Sequence, residues 1–283
     1  MASKLLNLSV TTYNCKGFDD RKVTFIKDLF NKCDFLLLQE HWLYKSMFHE
    51  LCRIDKNASF CATSSMNESV ILQGRRHGGC AIIWRSNLSY KVKSIDCNNV
   101  RVCGVLIHLE DNCTLLLFTV YMPCDANGAH LDEYNAVLDA ISCCVCKYDP
   151  TYYIISGDFN TDFNRRSSQT LALKAFLRAE DCSAVDNALS AKDCSAVDNG
   201  VIEYTYTTAD GMHTSLIDHF VVCNSLKEKV ASHSSYDHVD NMSDHVSVNC
   251  CIDIPVQYMD TEQNDYVNTY CQWDKASEMC VQN

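Results

Sequence analysis

A short apolar and aromatic run, Tyr152–Ile155, stands between Pro150 and Gly157. A run of this length bounded by turn-forming residues predicts a strand buried inside the fold. Beyond it, Asp158 and Asn160 are two residues apart, and in extended chain this spacing points both side chains the same way. A carboxylate and a carboxamide aimed at one spot can hold a cation, take a proton or orient a phosphate oxygen. The alternative interpretation is a turn rich in Asp and Asn, which favour turns in any case.

Other polar residues also stand where predicted strands end. The continuous apolar run Phe35–Leu38 is typical of a strand buried on both faces, and Gln39 and Glu40 follow it. Leu5–Asn14 alternates apolar and polar residues, which predicts a strand ending at Asn14. Between these two strands, Asp19 or Asp20 can cap a helix that runs to about Lys32.

The order of the remaining elements favours a layered fold. Further strands are predicted at 59–63, 79–84, 90–94, 100–109, 114–121, 204–206, 216–222 and 245–254, and further helices at 131–146 and 168–178. Strands in hairpin-like succession with few helices between them indicate two packed, mainly antiparallel sheets with helices outside. The predicted fold class is therefore a four-layer α/β/β/α sandwich. Residues 1–255 are predicted to be the catalytic domain, and the polar, acidic and aperiodic residues 256–283 a tail or linker.

A heptapeptide occurs twice. The seven residues 181–187 recur letter for letter at 193–199. Two copies at this short period do not make a solenoid, so a small tandem duplication is the simplest account. One copy is expected to continue the fold and the other to loop out, as surface loops tolerate.

The charge balance limits how the chain can meet a phosphate. A net charge of -12 does not steer a protein to nucleic acid. A chain acting on phosphates would therefore need a cation and local basic patches. The candidates are Arg75-Arg76-His77, Lys91 with Lys93, and Arg165-Arg166, and a solvated face is the favoured interpretation of each.

Cysteine usage and hydropathy bear on the compartment. The 19 cysteines show no paired zinc spacing and are interpreted as reduced apolar fillers. No secretory signal is visible, and no run approaches the ~18 apolar residues of a membrane span. An intracellular protein, nuclear or cytoplasmic, with no membrane partner is expected.

Eight residues at predicted strand ends form a coherent chemical set. They are Asn14, Glu40, Tyr121, Asp158, Asn160, Asp218, Asp244 and His245. The set offers oxygen ligands for a hard cation such as Mg²⁺, a carboxylate that can take a proton from water, and a histidine that a second carboxylate can hold. Each residue alone also has an ordinary interpretation as a cap, a solvated acid or a packing residue.

Six motifs occur in order along the chain: Tyr13-Asn14-Cys15, Leu38-Gln39-Glu40, Tyr121-Met122-Pro123, Gly157-Asp158-Phe159-Asn160, Ile217-Asp218-His219 and Ser243-Asp244-His245. Together they resemble the endonuclease/exonuclease/phosphatase superfamily, and most of all the apurinic-type endonuclease domain of non-LTR retrotransposons. Glu203-Tyr204-Thr205-Tyr206, before the fifth motif, is similar to that branch. The resemblance covers about residues 5–254 and implies a DNase I-like fold.

The resemblance also implies a metal site and a substrate. Glu40 would hold Mg²⁺, with Mn²⁺ able to substitute, and Asn14 and Asp244 would help to shape that site. Thr205 and Ser243 match positions that contact phosphate or the DNA backbone. DNA is the implied partner of a monomer, and the tail resembles a linker into a reverse transcriptase region of a longer parent chain.

The implied chemistry is hydrolysis of a phosphodiester. Asp158 would orient or deprotonate the attacking water, and Asn160 would contact the phosphate. His245, held by Asp218, would stabilise the developing charge, while Tyr121 would hydrogen-bond the phosphate or assist the leaving oxygen.

Two alternatives remain open. One is a phosphatase or phosphodiesterase of the same fold acting on a small-molecule or lipid phosphate, since a fold does not fix a substrate. The motif that inositol phosphatases show in place of the fifth motif, Ile217-Asp218-His219, is missing, which argues against that class. The export signal of a sphingomyelinase is also missing. The other is an inactive nucleic-acid-binding remnant, for which the duplication gives some grounds.

Overall fold

The computed structural model describes residues 4–72, 74–109, 113–124, 129–185 and 202–256. Its strands in chain order are β1 (Lys4–Asn14), β2 (Phe35–Gln39), β3 (Ala58–Thr63), β4 (Cys80–Arg85), β5 (Lys91–Ile95), β6 (Val102–His108), β7 (Thr114–Tyr121), β8 (Tyr152–Asp158), β9 (Cys182–Ala184), β10 (Tyr206–Thr207), β11 (Thr214–Ser215), β12 (Asp218–Cys223), β13 (Val230–Tyr236) and β14 (Ser247–Val256). Its helices are α1 (Asp20–Asn31), α2 (Leu131–Tyr148), α3 (Ser168–Ala179), the short α4 (Asn224–Lys227) and a 3-10 helix (Lys45–Arg53).

The strands form two six-stranded sheets and a small hairpin. The first sheet has the order β13-β14-β1-β2-β4-β3, the second has the order β5-β6-β7-β8-β12-β9, and β10 pairs with β11. Each large sheet contains one parallel pair, β1 with β2 and β7 with β8, among antiparallel neighbours. The predicted sandwich of two mainly antiparallel sheets with flanking helices is confirmed.

Strand β2 shows how the layers are held together. Phe35 and Leu37 belong to the core that both sheets share, whereas Leu36 and Leu38 pack with α1 in a second buried cluster. All four side chains are buried, so the run serves two hydrophobic interfaces, as the sequence predicted. Gln39, at the end of the strand, joins the sheets by donating from Nε2 to Thr12 (2.9 Å) and to Thr119 (2.7 Å).

The helices begin where the sequence places capping residues. Asp19 accepts a hydrogen bond from the backbone of Arg21 at the start of α1, and Ser167 accepts one from Thr170 at the start of α3. Among the described helices, none combines the length and the apolar character that a membrane crossing needs. The described cysteines are all free thiols; most of them are buried or half-buried, whereas Cys52, Cys124, Cys143 and Cys146 are exposed and do not fill the core.

Several parts of the fold were absent from the prediction or placed imprecisely. Strands β9, β11 and β13, helix α4 and the 3-10 helix were not predicted, and the helix predicted to end at 146 continues to Tyr148. The first copy of the repeated heptapeptide supplies β9, which pairs with β12 at the edge of the second sheet. The second copy, 193–199, lies outside the described residues.

Gly157 is required where β8 meets β7. Its φ of +142° is unfavourable for other residues, and an added Cβ would lie 2.2 Å from the carbonyl oxygen of Val120. The close approach of these backbones places Asp158 beside Tyr121, its partner in the parallel register.

We expect Gly157→Ala to destabilise the protein by roughly 3–5 kcal/mol, because it combines backbone strain with a clash against the neighbouring strand. Gly211→Ala is the matched control: its φ is also positive (+68°), but no described atom lies within 4 Å of an added Cβ. The control should cost only about 1–2 kcal/mol, because it brings the backbone strain without the clash. Urea unfolding of both variants measures the difference, and equal midpoints would contradict the assignment.

Candidate active site

The strand register brings the predicted residues to one edge of the two sheets. Asn14 ends β1 directly beside Gln39, which ends the parallel strand β2, so Glu40 follows at the same edge. In the second sheet Asp158 lies opposite both Tyr121 and Asp218. The site therefore takes residues from both sheets.

The amide of Asn14 connects the two carboxylates that the sequence singled out. Its Nδ2 donates to Asp158 Oδ2 (2.8 Å) and to Glu40 Oε1 (3.2 Å). Asn14 and Asp158 are buried, while Glu40 is half-buried with a positive φ of 53°. One side chain thus fixes the distance between an acid within the core and an acid that solvent can reach.

His245 and Asp218 form a buried pair beside Asp158. His245 Nδ1 lies 2.8 Å from Asp218 Oδ2, and its Nε2 lies 3.9 Å from Asp158 Oδ2. A carboxylate only accepts, so Nδ1 carries a hydrogen and the ring presents Nε2 toward Asp158. The ring of Tyr206 packs 5.0 Å from the ring of His245, centroid to centroid.

The electrostatic surroundings divide these groups into an acid and a base. Burial raises the pKa of Asp158 to about 7, and the charge of Asp218 acts in the same direction. Burial lowers the pKa of His245, but the charge and hydrogen bond of Asp218 outweigh it, and the pKa is raised to about 9. Near pH 8 this arrangement keeps the imidazole protonated while Asp158 is ionised.

Tyr121 and Asn160 stand on the second sheet's side of the site. Burial and the negative charge of Glu40 raise the pKa of Tyr121 well above its ordinary value, so the phenol keeps its proton and can donate it in a hydrogen bond. The guanidinium of Arg101 lies 5.4 Å from its ring. Asn160 donates from its backbone to Asp158 Oδ1 (2.9 Å) and from its amide to the carbonyl of Met122 (2.8 Å).

Thr205 and Ser243 make hydrogen bonds to the backbone of the segments that carry the site residues. The buried hydroxyl of Thr205 accepts from the backbone of Ile217 (3.1 Å) and Asp218 (3.0 Å). The hydroxyl of Ser243 donates to the carbonyl of Asn14 (2.7 Å) and accepts from the backbone of His245 (3.2 Å). These contacts position the side chains around them, and a contact of either hydroxyl with substrate stays a prediction.

Asp244 has a partner that the sequence did not indicate. The ammonium of Lys16 forms an ion pair with Asp244 Oδ2, and the backbone of Lys16 donates to Asn14 Oδ1 (3.1 Å). Asp244 thus already faces a positive charge, and a metal bound there would share it with Lys16. Trp42 is a second residue that the sequence did not place in the site, since its indole N–H donates to Glu40 Oε2 (2.9 Å).

Two groups of side chains offer ligand atoms for a hard divalent cation. Oxygens of Asp158 and Asp218 and a ring nitrogen of His245 lie within 4.8 Å of one another, and Asp218 Oδ1 is buried with no hydrogen-bond partner in the described structure. The imidazole, however, is already committed to Asp218 and held protonated, which repels a cation. The carboxylate of Glu40, which solvent can reach, fits Mg²⁺ better, with the amide oxygen of the buried Asn14 nearby.

Two histidines and two basic pairs outside this set also have defined places. His219 is buried, with Nε2 2.7 Å from the carbonyl of Thr161, so it is not part of a surface pair. His41 is buried and lies 3.0 Å from the carbonyl of Thr63. Arg165 holds the β10–β11 hairpin by donating to Ser215 Oγ (2.6 Å). Arg75 and Arg76 are exposed, the first near Trp42 and the second near Tyr44.

A family model described as "Endonuclease/Exonuclease/phosphatase family" matches residues 11–245. No curated protein sequence matches this chain. Among solved structures, the AP endonuclease LMAP from Leishmania major superposes with a TM-score of 0.69 at 13% identity, covering 88% of each chain. The endonuclease domain of TRAS1, a telomere-specific non-LTR retrotransposon, gives 0.62 at 14% identity, covering 87% of this chain and 98% of that one. A variant of the 3' phosphatase NExo from Neisseria, bound to product DNA hairpin, gives 0.63 at 15% identity, covering 87% and 100%.

Proposed function

This chain belongs to the endonuclease/exonuclease/phosphatase family, and on that premise we propose that it is a divalent-metal-dependent endonuclease that nicks a DNA strand by attack of water. Members of this family are metal-dependent phosphoesterases. The observation that carries the proposal is the Asn14 amide, which holds Glu40 and Asp158 together while His245 faces Asp158. This arrangement supports a metal-binding role for Glu40, the role of base for Asp158 and that of a protonated imidazole for His245.

Each residue has a task in the proposed reaction. Asp158, with its raised pKa, accepts the proton of the attacking water, and His245 stabilises the charge that develops on the phosphate. Asp218 keeps the imidazole protonated and oriented, and Tyr121 donates a hydrogen bond to the phosphate. Glu40 would hold Mg²⁺, with Asn14 and Asp244 beside it; when bound, the cation supplies Lewis-acid stabilisation of the phosphate oxygens.

Within the family, the proposed activity is that of the non-LTR retrotransposon endonucleases. The likeness in fold to the TRAS1 domain and the residues Glu203–Tyr206 support target cleavage of the kind that precedes reverse transcription. Thr205 from that stretch supports Asp218 through its hydrogen bonds to the backbone, so the motif contributes to the site itself.

Nicking of supercoiled plasmid with and without Mg²⁺ tests the proposal. We expect Mg²⁺-dependent conversion to the open circle, restored by Mn²⁺ after chelation. Hydrolysis of a small or lipid phosphate ester without nicking would instead support the alternative substrate class, and DNA binding without turnover would support the inactive remnant.

The pH profile of nicking is expected to be bell-shaped. Asp158 must lose its proton to act, so the rate rises with pH through a pKa of about 7, and His245 must keep its proton, so the rate falls through a pKa of about 9. A cation near Asp158 favours the carboxylate and moves the lower limb to more acidic pH. Nicking rates measured from about pH 5 to about pH 10 at two Mg²⁺ concentrations check both limbs. Because Asp158 and His245 interact, the two apparent pKa values belong to the pair. A rate that falls between about pH 6 and about pH 8 would contradict these roles.

The catalytic domain is proposed to end with β14. Removing residues 257–283 should leave the nicking rate unchanged, because β14 already completes its pairing with β1 between Lys4 and Val256. The rate of the shortened protein relative to the full chain measures this. A large loss of activity would assign the removed residues to the domain.

A further inference from the structure

Two arginine–aromatic pairs lie beside the proposed metal carboxylate. The guanidinium carbon of Arg75 is 5.7 Å from the centre of the Trp42 ring, and that of Arg76 is 5.3 Å from the centre of the Tyr44 ring. Trp42 in turn donates its indole N–H to Glu40 Oε2 at 2.9 Å. These four residues, Trp42, Tyr44, Arg75 and Arg76, are referred to as the arginine platform, and it begins one hydrogen bond away from Glu40.

The guanidinium groups of the platform have unused hydrogen-bond donors. Within the described ranges, neither Arg75 nor Arg76 has a carboxylate within 4.0 Å, although acids outnumber bases in this chain. Two other arginines do have carboxylate partners: Arg53 pairs with Asp20 and Glu50, and Arg101 pairs with Glu133. Apart from its place on the Tyr44 ring, the Arg76 guanidinium has one hydrogen bond to a described side chain, a long one of 3.8 Å to the sulfur of Met47. Two exposed cations are thus left available for an anion from outside.

The loop that carries these arginines is anchored. Gly78 and Gly79 have positive φ values, and an added Cβ would lie 2.6 Å from Ser65 Oγ at the first and 2.4 Å from the ring of His41 at the second. The carbonyl of Gly78 accepts from the backbone of Trp42 at 3.0 Å. The loop is therefore held against the segment that follows Glu40, which places the guanidinium groups in advance of binding.

We propose that the arginine platform binds the sugar-phosphate backbone of DNA next to the phosphate that is cut, on the Glu40 side of the site. The planar guanidinium fork matches phosphate oxygens, and stacking on a ring holds its orientation. Two cations outside the catalytic centre suit a chain with successive phosphates, whereas a small ester bound at the catalytic centre has no further phosphate to offer them. Phosphate contacts of this kind position the strand without reading its sequence.

This inference rests on the proposed nuclease function, and the salt dependence of DNA binding tests it. The Arg75→Ala/Arg76→Ala variant is compared with wild type and with Lys91→Ala/Lys93→Ala, which removes the same charge from the exposed edge strand β5. The platform variant should bind a DNA duplex about tenfold more weakly or worse, and the slope of log K against log salt should shrink by roughly two, since two phosphate contacts are lost. The lysine variant should keep the wild-type slope, and Arg75→Lys/Arg76→Lys should recover most of it.

A small chromogenic phosphodiester separates the two proposals. The platform variant should hydrolyse it at the wild-type rate while nicking plasmid more slowly, because only the polymer reaches the platform. Wild-type protein that nicks DNA, together with a platform variant that binds and nicks equally well, would overturn the platform and leave the nuclease standing. Wild-type protein that neither binds nor nicks DNA would overturn both. An equal loss in the lysine variant would overturn the platform as well, because overall charge, and not this surface, would then govern binding.

Discussion

Asp158→Asn should lower the nicking rate by on the order of 10²–10⁴ while the protein stays folded. Asparagine has nearly the same shape but cannot take a proton from water. The change also removes a charge from a buried position: since burial raises the pKa of Asp158 to about 7, the ionised form is costly to keep inside the folded protein above that pH.

This linkage distinguishes a catalytic role from a structural one. The pKa of Asp158 is raised on folding, so its ionisation works against the folded state as pH rises toward and through about 7, and the neutral amide escapes that cost. We therefore expect the thermal midpoint of Asp158→Asn at about pH 8 to be equal to or higher than that of wild type. Asp132→Asn, an exposed change on α2, is the control for activity. A variant that nicks at nearly the wild-type rate would remove Asp158 from the mechanism.

The second large effect is expected at His245. Replacing it with glutamine should lower the nicking rate by on the order of 10²–10³, because the protonated ring is the group that we propose meets the developing negative charge. His108→Gln, at the exposed end of β6, should leave the rate unchanged. Plasmid nicking under the same conditions measures both, and equal rates for the two variants would exclude this role.

Asp218 is expected to act through His245, so the two substitutions should not be additive. Asp218→Asn should lower the pKa of the imidazole and move the upper limb of the pH profile to lower pH, since the charge of Asp218 and its 2.8 Å hydrogen bond raise that pKa. The double variant should be about as slow as His245→Gln alone. Rates that multiply in the double variant, or an upper limb that does not move, would show that Asp218 works independently.

The sequence predicted those parts of the fold that depend on local pattern. The strand Phe35–Leu38 could be predicted because an unbroken apolar run must be buried on both sides, and the structure shows it packed against the second sheet on one face and α1 on the other. Strand β13 could not be predicted from local pattern. Its sequence, Val-Ala-Ser-His-Ser-Ser-Tyr, is largely polar and half-exposed, and its place at the edge of the first sheet depends on pairing with β14.

The candidate site shows the same division. Residues at strand ends, such as Asn14, Glu40 and Asp158, could be predicted because strand ends that share an edge gather their side chains. The ion pair of Lys16 with Asp244 and the ring of Tyr206 over His245 could not, because each joins residues far apart in sequence. Such pairs have no periodic signature and emerge only from tertiary packing.

Because Asn14 on one sheet binds Asp158 on the other, and Gln39 joins both layers through Thr12 and Thr119, the proposed catalysis would depend on the fit between the two halves of the sandwich. A small shift of one sheet relative to the other would separate Asp158 from Glu40 before any strand unfolds. The nicking rate would then be sensitive to the relative position of the two sheets. Enzymatic output should decline at denaturant concentrations that leave the far-ultraviolet circular dichroism untouched.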